Sequence, residues 1–437
     1  MPRNTRPRLV LTASAAALSL LLSACGGDAD PEVSAEDNAA AGKELATILG
    51  IDASAKNGDG LTWKIGAALP MSGIGSADGV ETSNAVKLAV RHIEAAGGPK
   101  IDVTFVDHGS GDPAKSKQAI NELVAAKVPA KLSSYVDGFG AMLEETSKNK
   151  ILTFDGVGGT AMYAQGVPYF YGTRAVSPND SYPGAFEWFK RANPGKSDLT
   201  VGLVGWDVGG PASKAIKDDV LAKIEQSGLK FSGLYELLPA GSTDFSAVLP
   251  KVASANPDLL LLGLAGQAPG AFMAQAKAAG VKSQELGMEF TTTAVAASKG
   301  VFDAEGFAFA MDYFDAGKAE NPLATFFVKE YEAAYGEKPG FYAANMYEDA
   351  LALWELVRHV LAEGGDVNDG AQLLAALEKD HEFPSVYGGD AATPGVLALD
   401  PKTHSVSTRP QGVFEYKDGE ISPLATFDMN GAGFAQP

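Results

Sequence analysis

From residue 61 onward, short apolar runs alternate with segments whose apolar positions recur every three to four residues. Residues 65–69 read as a strand. Residues 82–96 read as a helix, with Val86, Ala89, Val90 and Ile93 on one face and Gly97-Gly98 as its stop. A strand over 101–106, a helix over 113–126, and the segments 128–132, 139–148 and 151–154 continue the same order. Such alternation predicts right-handed crossovers and a parallel sheet.

The order then repeats. Strands are predicted over 200–204, 230–237, 259–262 and 307–311, and helices over 213–227, 245–253 and 270–279. Residues 322–335 and 345–363 are strongly helical, the latter with Ala350, Trp354, Val357 and Leu361 in one core-facing stripe. Two similar α/β blocks imply two lobes, since a chain this long exceeds what one hydrophobic core serves. The irregular stretch 168–183 fits a crossing between them. Ligands of open α/β sheets sit beyond the carboxyl ends of the strands. The informative loops are therefore 70–79, 107–112, 133–140, 155–160, 205–211, 263–269 and 288–293.

The N-terminus has its own pattern. Arg3, Arg6 and Arg8 precede an uncharged apolar run over 9–22, which ends in Leu22-Ser23-Ala24-Cys25-Gly26. This is the layout of a secretory signal, and the run falls short of the roughly 20 apolar residues of a membrane span. Cys25 is the only cysteine, so no internal disulfide is available. Leu-Ser-Ala-Cys resembles the lipobox of bacterial lipoproteins, which implies a signal over 1–24 and lipidation at Cys25. Residues 25–60 then read as lipid anchor and flexible spacer, being rich in Gly, Ala, Asp and Ser; one short helix over 43–51 is the only structure they suggest.

The net charge of −19 becomes −22 once Arg3, Arg6 and Arg8 leave with the signal. That balance excludes nucleic acid as a partner. The five histidines form no H-x-x-x-H pair, no G-x-S-x-G elbow occurs, and neither a cofactor nor a metal is expected. Glycines 73, 75 and 79 give G-x-G-x-x-x-G, one residue longer than the dinucleotide-binding spacing. An exported chain has no nicotinamide cofactor to meet, so this loop serves better as backbone N–H groups facing a small anionic group.

A specific resemblance follows. Lys64-Ile65-Gly66-Ala67-Ala68-Leu69-Pro70-Met71-Ser72-Gly73, with Glu94-Ala95-Ala96-Gly97-Gly98 after the helix, resembles the opening of the branched-chain amino acid-binding (leucine/isoleucine/valine type) family. Asp112-Pro113-Ala114-Lys115, Gly241-Ser242-Thr243-Asp244-Phe245-Ser246 with Asn256-Pro257-Asp258, Gln275 to Gly280, and Tyr347-Glu348-Asp349-Ala350 follow in the family's order. The resemblance implies a class I periplasmic-binding fold: α/β, two Rossmann-like lobes with parallel sheets, joined by a three-strand hinge. The lobes are expected over 61–176 plus 313–394 and over 177–312 plus 395–437. It implies capture of a small molecule by lobe closure, with the permease and ATPase subunits of an ABC importer as partners and the lipid anchor as membrane contact. A membrane receptor in place of the permease is the alternative; an exported enzyme is the third reading.

The resemblance also places the site. Ser72 and Gly73 fall on the first ligand loop, and Glu289 matches an acid set against the ligand's α-ammonium group, a charge-assisted bond suited to a partly dry cleft. The family's small hydroxyl residues correspond loosely to Ser133 or Ser134, beside Tyr135, and to Gly158, Gly159 and Thr160. Asp78 stands where the family has an aromatic, and Trp206 and Asp207 where it has a tyrosine. Asp78, Asp137, Asp155, Asp207 and Glu289 are thus expected to line one acidic cleft. Like charges there raise one another's pKa unless a cation pairs with them. The expected ligand therefore carries an amino or guanidino group, with Trp206 available for a cation–π contact.

Overall fold

The computed structural model describes residues 34–73, 75–134, 139–156, 166–175, 180–207 and 210–436. The signal segment, Cys25, Tyr135, Asp137, Gly158 and Thr160 lie outside the described residues.

The first block forms strands β1 (Thr62–Leu69), β2 (Lys100–Asp107), β3 (Ala130–Ser133), β4 (Leu152–Asp155) and β5 (Phe170–Gly172). All pair in parallel, in the order β5-β4-β3-β1-β2. Helices α1 (Ala35–Ile48), α2 (Gly79–Ala95), α3 (Pro113–Ala126) and α4 (Phe139–Lys148) accompany them. Local chemistry starts and stops these elements. Asp112 caps α3 by accepting from the N–H groups of Ala114 and Lys115, Pro113 begins it, and Lys127 ends it in the left-handed region.

The second block forms α5 (Tyr182–Ala192), β6 (Thr200–Asp207), α6 (Gly210–Gln226), β7 (Lys230–Pro239), α7 (Leu249–Ala255), β8 (Leu259–Gly263), α8 (Ala268–Ala279), β9 (Gln284–Gly287), α9 (Thr292–Ala297), α10 (Val301–Glu305) and β10 (Phe307–Met311). Its parallel core runs β10-β9-β8-β6-β7. The chain then makes α11 (Pro322–Tyr335), α12 (Phe341–Ala362) and α13 (Gly370–Lys379). Helix α12 packs on α2 and on β3 of the first sheet.

The last strands complete both sheets. β11 (Glu382–Ser385), β12 (Gly395–Asp400) and β13 (Ser405–Thr408) join the first sheet beside β5, while β14 (Pro410–Lys417) and β15 (Glu420–Asp428) join the second beside β10. β11–β12, β12–β13, β10–β14 and β14–β15 are antiparallel, so both sheets are mixed rather than purely parallel. Residues 395–408, assigned above to the second lobe, therefore hydrogen-bond in the first sheet, and the chain changes sheet at Arg409. It passes between the sheets three times: after β5, after β10 and between β13 and β14.

The spacer expectation needs correction. Residues 35–48 form helix α1, capped by Ser34, with Ala41, Gly42 and Leu45 buried against α2 and α11. Gly42 is required there: a Cβ would lie 2.3 Å from the carbonyl carbon of Ala95. The 41/45 spacing was masked by the polar, alanine-rich composition around it. Among the described residues, no helix is long and apolar enough to cross a membrane.

Leu45→Ala is expected to cost about 2–5 kcal/mol if α1 is an integral part of the fold, and Gly42→Leu to undock the helix. Urea unfolding and protease sensitivity near residues 34–48 check this; wild-type values for both variants would show that α1 is a loose appendage.

Candidate functional site

Four of the expected site residues, Ser72, Gly73, Asp78 and Asp207, are exposed or half-buried and bond to neighbouring loop and helix residues. Ser72 Oγ donates to Asp107 Oδ2 at 2.6 Å and accepts from Lys115 Nζ at 2.7 Å. The N–H groups of Ser72 and Gly109 donate to Asp107 Oδ1 at 3.1 and 2.8 Å. Burial alone would raise the Asp107 pKa; the bonds from Ser72, Gly109 and Lys115 outweigh it and hold the carboxyl below its ordinary range. Gly73 has φ +88° and bridges to Ser110, whose carbonyl oxygen would lie 2.1 Å from a Cβ at position 73. The first loop is thus bolted to the loop after β2. Asp78 is half-buried at the start of α2, where its carbonyl accepts from Thr82 Oγ1. Asp207 is exposed and accepts from Ser213 Oγ at 2.5 Å.

Glu289 and Asp155 are buried, as a ligand site needs, but each has a cation of the chain beside it. Glu289 follows β9. Its Oε1 accepts from the N–H of Gly266 at 3.1 Å and its Oε2 from Tyr342 Oη at 3.1 Å, with Arg174 Nη1 3.9 Å from Oε2. Tyr342 stands on α12, against the first sheet, so this bond joins elements of the two sheets. Asp155 ends β4 within electrostatic reach of Lys131, which is fully buried on β3. Burial pushes the Lys131 pKa down to about 8, and Asp155 opposes the fall. The expected cleft of uncompensated acids therefore does not form among the described residues: burying several like charges without partners is too costly, and the fold supplies Arg174 and Lys131.

Residues the sequence reading missed complete the site. Arg174 follows β5, lies 4.3 Å above the Phe341 ring, and sets its Nε 3.3 Å from Asp312 Oδ1. Burial disfavours its charge, but Asp312, Tyr342 and Glu289 outweigh that and raise its pKa. Asp312 follows β10 and also lies 3.7 Å from Arg409 Nε. Arg409 pairs with Glu348 at 2.7 Å and covers the Tyr387 ring at 4.1 Å. Burial pushes Asp312 up to about 6 despite the two guanidinium groups. On α12, Tyr342, Asn345, Glu348 and Asp349 are all buried and share one helical face. That polar stripe in an otherwise apolar helix was the available signal. Burial beside Glu348 pushes the Asp349 carboxyl well above its ordinary range.

Several buried polar atoms here have no hydrogen-bond partner: Ser133 Oγ and Ser134 Oγ at the end of β3, Trp206 Nε1 near the end of β6, and Asn345 Oδ1 and Asp349 Oδ1 on α12. Asn345 Nδ2 donates to the Gly156 carbonyl at 2.7 Å, so α12 meets the chain just past β4. An unmet buried group costs about 1–3 kcal/mol, and such groups mark a bound molecule or water. A pocket lined by Lys127, Pro129, Lys150 and Asn368 lies at the opposite, starting ends of β3 and β4 and carries none of these atoms. Among the described residues, no group of three or more His, Cys, Asp or Glu is placed to hold a metal ion.

Comparisons with known proteins agree with this layout. The profile of a family described as periplasmic binding protein matches residues 62–408. The Leu/Ile/Val-binding protein homolog 8 of Brucella abortus is 23% identical over 350 residues, covering 74% of this chain and 83% of that protein. Homolog 1 of Brucella melitensis is 24% identical, covering 76% and 88%. Among solved structures, an R. palustris ABC-transporter solute-binding protein in complex with benzoate superposes with a TM-score of 0.69 at 20% identity, covering 86% of this chain and 98% of that one. The substrate-binding protein LivJ of Streptococcus pneumoniae, in complex with isoleucine, gives 0.67 at 19% identity, covering 86% and 100%.

Asp312 yields a pH prediction. Its folded pKa of about 6 stands above the roughly 3.9 of an unfolded aspartate, so the folded chain binds the proton more tightly. Its contribution to stability should be complete below about pH 4, fall as the pH rises towards 6, and be level above. Urea midpoints across that window should show the slope, and Asp312→Asn should remove it. The same variant leaves two buried guanidinium groups short of a partner, at about 3–5 kcal/mol.

Proposed function

The chain belongs to the periplasmic binding protein family, of the branched-chain amino acid-binding type, and from that premise we propose that it captures a small amine-bearing solute by lobe closure for an ABC importer. The first lobe is built on the β1–β5 sheet with α12, and the second on the β6–β10 sheet. The ligand sits where their strand ends face each other, its amino group on Glu289. The chain is tethered outside the cytoplasm through a lipid on Cys25, and the permease and ATPase subunits are its partners. Closure brings ligand-binding groups of both lobes together, so ligand shifts the population towards the closed form.

The observation that carries this reading is the set of unpartnered buried polar atoms at Ser133, Ser134, Trp206, Asn345 and Asp349. Charge supports the amine. Arg174 and Lys131 compensate Glu289 and Asp155, but burial beside Glu348 holds Asp349 well above the ordinary carboxylate range, and a ligand that brings positive charge would be favoured there. An aromatic carboxylate is the second reading, favoured by the Arg174 guanidinium stacked on Phe341 and by the benzoate held in a protein of like fold.

Thermal melting of the purified chain against amino acids, polyamines, sugars and aromatic acids tests both, because a ligand of the folded state raises the melting temperature. A rise with amine-bearing ligands, weakened about tenfold or more in affinity by Glu289→Gln, is the expected result. A rise only with amine-free aromatic acids, unaffected by that substitution, would replace the first reading by the second.

A further inference from the structure

Resting on the reading of this site as the ligand site, we propose that Arg174 is a specificity-determining residue that reads a carboxylate on the ligand. The Arg174–Glu289 separation of 3.9 Å is an ion pair too long for a hydrogen bond. The oxygens of Glu289 are instead held by Gly266 and Tyr342. The two charges thus stand side by side, each fixed by other groups. Arg174 is held by Asp312 along one edge and by the Phe341 face beneath it. A positioned guanidinium is a planar fork suited to a carboxylate.

The spacing matches a particular ligand geometry. In an α-amino acid only Cα separates the ammonium nitrogen from the carboxyl carbon, a distance of about 2.5 Å. A zwitterion therefore lays its two charges against Glu289 and Arg174 together. Arg174 leaves the first sheet after β5 and Glu289 follows β9 of the second, so closure brings both onto the ligand. In the absence of ligand, Arg174 compensates Glu289 itself. For a ligand that carries only a carboxylate, the same guanidinium and the Phe341 face supply the contact.

The test uses matched pairs that differ only in the carboxylate: leucine with leucinamide, and benzoate with benzamide. Affinities are measured by calorimetry on the purified chain, on Arg174→Met and on Arg174→Lys. Wild type should prefer the acid of the pair it binds. Arg174→Met should weaken that acid about tenfold or more and leave the amide nearly unchanged. Arg174→Lys keeps the charge facing Asp312 and should fold as wild type, retaining part of the preference. Equal weakening of acid and amide would assign Arg174 to the hinge alone and overturn the proposal, as would a wild type that binds acid and amide alike. A wild type that binds neither member of either pair would overturn the ligand reading itself, and this proposal with it.

Discussion

The structure depends on one buried carboxylate held between two guanidinium groups. Asp312 stands 3.3 Å from Arg174 and 3.7 Å from Arg409. Each of the three residues sits on a different passage between the sheets: Arg174 after β5, Asp312 after β10, Arg409 between β13 and β14. Buried ion pairs gain little net stability, because desolvation offsets most of the attraction. What this triad supplies is position. It fixes the three passages against one another where the two sheets meet. Part of the polar surroundings is tied in: Ser385 Oγ donates to Glu348 at 2.6 Å, Thr173 Oγ1 to Asp349 at 2.9 Å, and Arg409 to the Thr173 carbonyl, while Arg409 Nε and Glu348 Oε1 are held by ion pairing alone. In a network of buried charges, breaking one member strands the others.

The unpartnered atoms differ in what faces them. Asn345 and Asp349 share the α12 face that carries Glu348, whose Oε2 accepts from Ser385 and Val386 and whose Oε1 faces the Arg409 guanidinium, while Asn345 Oδ1 and Asp349 Oδ1 have no hydrogen-bond partner. The difference is place. Glu348 points into the hinge, whereas Asn345 meets Gly156 past the end of β4. The open hydroxyl, amide and carboxyl groups beside the hinge are the ones the proposed ligand would meet. Arg174 belongs to both regions, touching Asp312 on one side and Glu289 on the other. Any movement that separates Arg174 from Glu289 must therefore change the surroundings of that acid.

The sheets were legible because their signal is local. The all-apolar run of Leu259, Leu260, Leu261 and Leu262 and the helical stripe of Val86, Ala89 and Ile93 each report burial through spacing alone. Family position made Glu289, Ser133 and Ser134 candidates, and the structure buries all three at or just beyond strand ends. Arg174 was not a candidate. It is one arginine in an irregular stretch, and its partners lie 115, 138 and 167 residues away in sequence, at Glu289, Asp312 and Phe341. No periodicity records a contact of that separation. Ser72 shows the opposite failure: a hydroxyl on a ligand loop is a fair candidate until Asp107 and Lys115 are found to occupy it.

The docked N-terminal helix changes what the proposed anchor would do. A flexible spacer running to residue 60 would let the lobes wander far from the membrane. With α1 packed on α2 and α11 from Ala35 onward, only residues 26–33 separate Cys25 from the Ser34 cap. Fully extended, that length spans about 30 Å, comparable to the width of one small domain. Helix α1 packs on α2, which covers the first sheet together with α12, so the proposed leash would join the lobe that carries Arg174 and Tyr342. Under the proposed lipidation at Cys25, a tether of that length would hold that lobe near the membrane.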